Sequence, residues 1–243
     1  MATFNERLKH LSFPDAELDS DVRQTFLKLR RSVGFLGLFL PVILISWGLS
    51  RNIDWSDMTS LSAFYWLPPP GTHALRRDWL VGSLAAIGIC LIVYRGYGPL
   101  ENWLLNLSGV AIILVALNPT AWPALHLDPH RIHEIAAITF FMLIAATIWF
   151  CAGATLSQAP PGSRARWERR YRLCAIAMAV APLAAYVLAR ESQRIIWAEI
   201  AGVWVFSGYW FLKTREVSTV SMVEPRGGTF PRLRWANGVL ERI

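Results

Sequence analysis

The chain has 243 residues, of which 54% are hydrophobic and only 17% charged, against about 25% charged in an ordinary soluble domain. The charges are absent from a handful of long apolar windows and crowded between them, which excludes a soluble globular domain and describes a chain that crosses a membrane several times. The net charge of +7 could suit nucleic acid, but the arginines flank the apolar windows. There they serve as topological anchors and as contacts to anionic lipid headgroups, so membrane lipids are the expected partner and nucleic acid is not.

Residues 1–31 are polar and charged. Ser12, Pro14 and Asp15 make a helix start, and Leu18, Val22, Phe26 and Leu29 then recur at helical spacing. An amphipathic cytoplasmic helix is expected, either lying on the membrane surface or packed on the protein's own loops. The first span is Val33 to Leu49, with Pro41 inside it. Residues 51–78 read as a long interfacial loop, rich in aromatics and containing Pro68, Pro69 and Pro70. The second span runs from Trp79 to Tyr94, and the third from Trp103 to the Asn118–Pro119 pair. Asp128 and Pro129 cap the start of a fourth span that reaches Ala154. A basic loop over 157–172 follows. The fifth span covers Leu173 to Ala189 and the sixth Ile195 to Leu212.

The expected fold is therefore all-α, a polytopic transmembrane bundle of six spans with both termini in the cytoplasm. Its parts are an amphipathic N-terminal segment (1–31), a six-helix transmembrane domain (32–213) and a basic flexible tail (214–243). With the N-terminus inside, eighteen of the 24 lysines and arginines fall on cytoplasmic segments and six on outer ones. An odd number of spans would break that alternation.

Helices in lipid need small residues where they meet. Ala177, Ala181, Ala185 and Ala189 make such a stripe in the fifth span. Gly82 with Ala86, and Ala198 with Gly202, are shorter versions. Packing within the chain is the favoured use, and a homo-oligomer seam is the other.

Ionisable groups at membrane depth are costly and so mark candidate sites. Arg77 and Asp78 open the second span. His133 and Glu134 lie in the first turns of the fourth, and Glu199 lies about 7 Å into the sixth, five residues past Arg194. Together Arg77, Asp78, His133, Glu134 and Glu199 could line an outward-facing polar site for a small molecule, an ion or a proton. His126, His130, His133 and Glu134 also supply metal-ligand types, but no HExxH or cysteine motif accompanies them. Cys90, Cys151 and Cys174 lie singly in apolar windows and read as packing residues. No cofactor is expected. On the inner side the short turn Tyr94-Arg95-Gly96-Tyr97 places Arg95 near Glu101 and Asn102, where an Arg95–Glu101 ion pair fixing the hairpin is the favoured reading, and Asn106 reads as a hydrogen bond to a neighbouring helix.

Several of these pieces occur in a familiar order: Ser60-Leu61-Ser62-Ala63-Phe64-Tyr65, Arg77-Asp78-Trp79-Leu80-Val81-Gly82, Tyr94-Arg95-Gly96-Tyr97, Asn106-Leu107-Ser108-Gly109, His133, and Glu199 with Trp204 and Phe206. The chain resembles, over residues 33–213, a group of uncharacterised multi-span bacterial membrane proteins. The resemblance implies a bacterial inner membrane and brings no activity with it. A looser similarity runs to seven-helix zinc-dependent lipid hydrolases, with Ser62, Asp78 and His133 as counterparts. The histidine pair of their final helix has no match here, since the sixth span holds Glu199 and no histidine.

Three functions are thus carried forward. The first is a transporter or membrane sensor with an outward polar site, which needs Glu199 to face a cavity. The second is a structural or assembly subunit, in which each acid is paired with an arginine. The third, least favoured, is a membrane-embedded lipid hydrolase, which needs a nucleophile such as Ser62 within reach of His133.

Overall fold

The computed structural model describes residues 15–66, 75–118, 130–158 and 161–220. Six long helices make up the described residues: α1 (Asp15–Ser50), α2 (Leu75–Val93), α3 (Pro99–Leu117), α4 (His130–Cys151), α5 (Pro161–Leu188) and α6 (Arg194–Val220). Five of them, all but α2, are long and apolar enough to cross a membrane. The exception carries Arg76, Arg77 and Asp78 in its first turn. The chain is a multi-pass, membrane-spanning helical bundle. Consecutive helices pack as neighbours, and α6 closes the bundle against α1.

The expected helix starting at Asp15 and the expected first span are one unbroken helix, 36 residues long and continuous through Pro41. At 1.5 Å per residue it measures about 54 Å, well beyond a hydrocarbon core of about 30 Å. The 28 residues of α5 and the 27 of α6 also exceed that core. The expected boundary between residues 213 and 214 falls inside α6, which continues to Val220. The basic start of α5 and the last turns of α6 pack together, with Tyr171 hydrogen-bonded to Glu216. Residues 1–14 and 221–243, with the rest of the expected segment and tail, lie outside the described residues, as does the Asp128–Pro129 cap.

The segment 51–66 is folded, not irregular. Helix α1 ends in a Schellman arrangement: Asn52, at φ 55°, takes the left-handed position, Ile53 N–H donates to Gly48 O and Asn52 N–H to Leu49 O. Two short 3-10 turns follow, Trp55–Asp57 and Ser62–Tyr65. Met58, Leu61 and Phe64 are buried, three residues apart, which is the period of a 3-10 turn. The segment is tied to the start of α6, where Ile196 N–H donates to Thr59 O and Gln193 Nε2 to Trp55 O. These bonds satisfy backbone groups that a helix end leaves open.

Small residues do bring helices together, but the tightest pair is not one of the expected stripes. A Cβ on Gly88 would sit 2.8 Å from Gly109 O, and one on Gly109 would sit 2.6 Å from Gly88 O. Helices α2 and α3 thus touch backbone to backbone. Gly202 is filled against Phe141 as an intramolecular contact, whereas a Cβ on Gly82 would meet nothing within 4 Å. Gly109→Val should therefore lower stability by about 1–3 kcal/mol through overpacking. Gly82→Ala should be neutral or raise it by up to about 1 kcal/mol through helix propensity. Thermal midpoints of the two variants in one detergent check the contrast.

Candidate functional site

Glu199 lies in the second turn of α6, and segment 51–66 folds down to meet it. Leu61 N–H donates to Oε2 at 2.6 Å, Ser60 Oγ donates to the carboxylate at 2.9–3.0 Å, and Ser62 Oγ lies 3.1 Å from Oε1. Ser62 N–H in turn donates to Ser60 Oγ at 2.9 Å, fixing the two serines relative to each other. Ser62 Oγ is also 3.0 Å from His133 Nε2 on α4, and His133 Nδ1 is 2.6 Å from the carbonyl of Asn118, the C-cap of α3. That carbonyl is one of those a helix C-terminus leaves unpaired. A chain of contacts therefore runs from Glu199 through Ser62 and His133 to the end of α3.

The chain has a definite proton content. A carbonyl can only accept, so Nδ1 must carry a hydrogen. Ser62 has one hydroxyl hydrogen and two neighbours, Glu199 Oε1 and His133 Nε2. If it donates to Glu199, then Nε2 must donate to Ser62, and the pair is carboxylate with imidazolium. If it donates to Nε2, then Glu199 must donate to Ser62, and the pair is carboxylic acid with neutral imidazole. With no further proton, one contact sets two acceptors at about 3 Å. Both contacts are hydrogen bonds only when at least one further proton is held on Glu199 or His133; a second would sit on Glu199 Oε2, 2.9 Å from Ser60 Oγ.

The structure joins two of the five expected site residues and separates the other three. Arg77 and Asp78 pair with each other at 3.7 Å, with side chains 48% and 61% exposed, and Glu134 is exposed. Asp78 instead borders a shallow, open groove of ≈ 450 Å³ with Leu36, Trp79, Gly82, Ser83 and Ala86; Ser62, His133 and Glu199 do not line it. Among the described residues no three His, Cys, Asp or Glu side chains come together as metal ligands. His126 and the His130 side chain lie outside that set. Glu199 has no cationic partner within 4.0 Å among the described residues.

A second polar cluster lies at the other end of the bundle. Lys213 and Glu216 are buried and paired at 2.8 Å. Lys213 Nζ also donates to Ala152 O and Thr155 Oγ1, both at 2.6 Å. Thr155 Oγ1 and Tyr171 Oη donate to the two oxygens of Glu216 at 2.6 and 2.7 Å. Each hydrogen of the ammonium and both hydroxyl hydrogens have an acceptor, so this pair is complete and no extra proton is called for. Nearby, Arg30 donates through Nε and Nη2 to Tyr94 Oη, and through Nη2 to Tyr97 Oη at 3.3 Å. Burial pushes both phenols above the ordinary tyrosine range, against the opposing pull of Arg30, so both stay protonated at neutral pH. In the α2–α3 turn Tyr97 N–H donates to Glu101 at 2.8 Å and Gly96 N–H to Asn102 Oδ1 at 2.6 Å. Asn106 Oδ1, expected to bridge helices, is buried without a partner.

The sequence marks Ser62 only as the nucleophile of the hydrolase alternative and Ser60 not at all, and it leaves Lys213, Glu216 and Arg30 among topological and tail charges. The Ser-x-Ser spacing was the available signal for the first pair. Nothing in the basic inner segments distinguished the buried charges from the solvated ones. No family model matches the chain, and no curated protein or solved structure matches it either. The class that fold and site define is a multi-pass helical membrane protein with buried polar groups at both ends of the bundle.

Breaking the inner pair on one side should be costly. Lys213→Met leaves Glu216 buried without its cation and should lower stability by about 3–5 kcal/mol. Adding Glu216→Met removes the stranded charge and should restore at least half of that loss. The thermal midpoints of the two variants measure it.

Proposed function

We propose that the chain is a six-span, N-in/C-in protein of a bacterial inner membrane. Its outer end carries a proton-binding site made of Glu199, Ser62 and His133, in a proton-linked transporter or a membrane sensor. The observation that carries this reading is the Ser62 hydroxyl, placed within 3.1 Å of two groups that both titrate. A serine there lets a proton pass between carboxylate and imidazole with no movement of heavy atoms, by exchange of which neighbour donates. The distribution of lysine and arginine supports the orientation, and the segment resemblance supports the bacterial membrane.

The structural-subunit reading requires each acid to be neutralised by an arginine. It fits Asp78, which faces Arg77, whereas Glu199 is held, among the described residues, by hydroxyl and amide donors. The lipid-hydrolase reading gains one observation, the 3.0 Å contact between Ser62 Oγ and His133 Nε2, which is the spacing of a nucleophile and its base. Against it, the carboxylate sits on the serine instead of behind the histidine, where it competes for the hydroxyl hydrogen.

Proton uptake by the full chain in nanodiscs, between about pH 5 and pH 8, tests the proposal. The wild type should take up about one proton more than Glu199→Gln, whose amide supplies a fixed donor to Ser62. Equal uptake in the two would refute a proton site at Glu199. Labelling of Ser62 by a serine-directed phosphonate, abolished in His133→Phe, would favour the hydrolase instead.

A further inference from the structure

Arg30 is the unfinished interaction of the inner end. Its side chain is fully buried. Nε and Nη2 are used on Tyr94 and Tyr97, and Nη1 has no partner. The described ion pairs are Arg77 with Asp78, Arg164 with Glu168 and Lys213 with Glu216, so among the described residues no carboxylate lies within 4.0 Å of Arg30. Its surroundings are aromatic: Phe26 at 4.5 Å, Tyr94 at 5.2 Å and Tyr97 at 5.5 Å from ring centre to guanidinium. Rings favour a cation but accept few hydrogens from it. Both tyrosine oxygens accept from Arg30, so their own hydrogens are left to give elsewhere. The group is rich in donors and short of acceptors, which is the reverse of the Lys213–Glu216 pair a short distance away.

The surroundings indicate what acceptor completes it. Along α1, Arg30 lies about 30 Å from Ser50, roughly one hydrocarbon thickness from the far end of that helix. Tyr97, 47% exposed, stands between Arg30 and the surface. Its 3.3 Å contact is the longest that Arg30 makes, so this ring is the one that can yield. Beside it on the same hairpin, Leu100 and Trp103 are 56% and 68% exposed, an apolar strip that acyl chains would cover, with a tryptophan suited to the headgroup boundary.

We propose that Arg30 and Tyr97 form a binding site for the phosphate of an anionic phospholipid, whose acyl chain lies along Leu100 and Trp103. A phosphate oxygen takes the free Nη1 hydrogens and the Tyr97 hydroxyl hydrogen, the pairing for which a guanidinium fork is shaped. The proposal is independent of the outer site; the inner leaflet follows only if the N-in orientation holds.

The test uses the full chain in detergent, with native mass spectrometry to count bound lipid and the thermal midpoint to follow its effect. Phosphatidylglycerol, phosphatidylcholine and inorganic phosphate are the probes. Wild type should bind phosphatidylglycerol in preference to phosphatidylcholine and be stabilised by it. Tyr97→Phe keeps the ring and removes one donor, and should weaken that binding about tenfold. Arg30→Lys keeps the charge and loses the fork, and should weaken it at least as much. Unchanged binding in both variants overturns the site. Loss of binding in Arg169→Gln/Arg170→Gln with none in Tyr97→Phe also overturns it, since surface charge would then be the cause. Equal stabilisation by inorganic phosphate overturns the lipid assignment in favour of a free anion.

Discussion

Inside a membrane there is no water to complete a hydrogen bond, so every polar group on a spanning helix must find its partner in the protein. Glu199 shows how this chain meets that demand. Among the described residues no arginine pairs with its carboxylate, which is surrounded by a single folded segment, Ser60, Leu61 and Ser62. The segment can reach Glu199 because α1 ends in a left-handed turn at Asn52 and because Met58, Leu61 and Phe64 anchor it among the helices. Thr59 caps α6 in the same stroke. The placement of one acid thus depends on the end of α1, the 3-10 turns and the start of α6.

The two ends of the bundle obey the same constraint with different outcomes. At the end that holds Lys213, the hydrogens of Lys213, Thr155 and Tyr171 are each matched to an acceptor, and the pair with Glu216 is closed. Such a cluster ties the 3-10 turn after α4 (Ala152–Gln158) to α5 and α6 and has no use for a mobile proton. At the end that holds Glu199, Ser62 faces two acceptor-capable groups with one hydrogen, so its two contacts are both hydrogen bonds only with a further proton on one of them. Counting hydrogens, rather than counting charges, separates a structural network from one able to exchange protons.

Much of the fold was legible because apolar windows of membrane length have no other stable home. The helices α3, α4 and α6 begin or end close to where composition and capping residues place them. Two features were not legible. The segment 51–66 reads as a loop because its anchors are three residues apart, a period easily lost among prolines and aromatics. Lys213 and Glu216 read as charges at the junction with the tail because burial of a charge leaves no mark in composition; only the partners in the 3-10 turn Ala152–Gln158 and on α5 reveal it. Within the site, Glu199 and His133 stood out because charge at depth is costly. Arg77, Asp78 and Glu134 carry charge too, but they sit in first turns and remain exposed. Ser60 and Ser62 carry no charge and so raised no such signal.

The account rests on the proton of His133 Nδ1, since its bond to the Asn118 carbonyl fixes the count for everything beyond it. Nitrogen-15 spectra of the His133 ring, recorded across pH in the full chain, test this directly. Nδ1 should stay protonated throughout, with only Nε2 changing state, and Ser62→Ala should alter where that change occurs. A neutral ring with its hydrogen on Nε2 and a bare Nδ1 would contradict the shared proton and with it the proposed site.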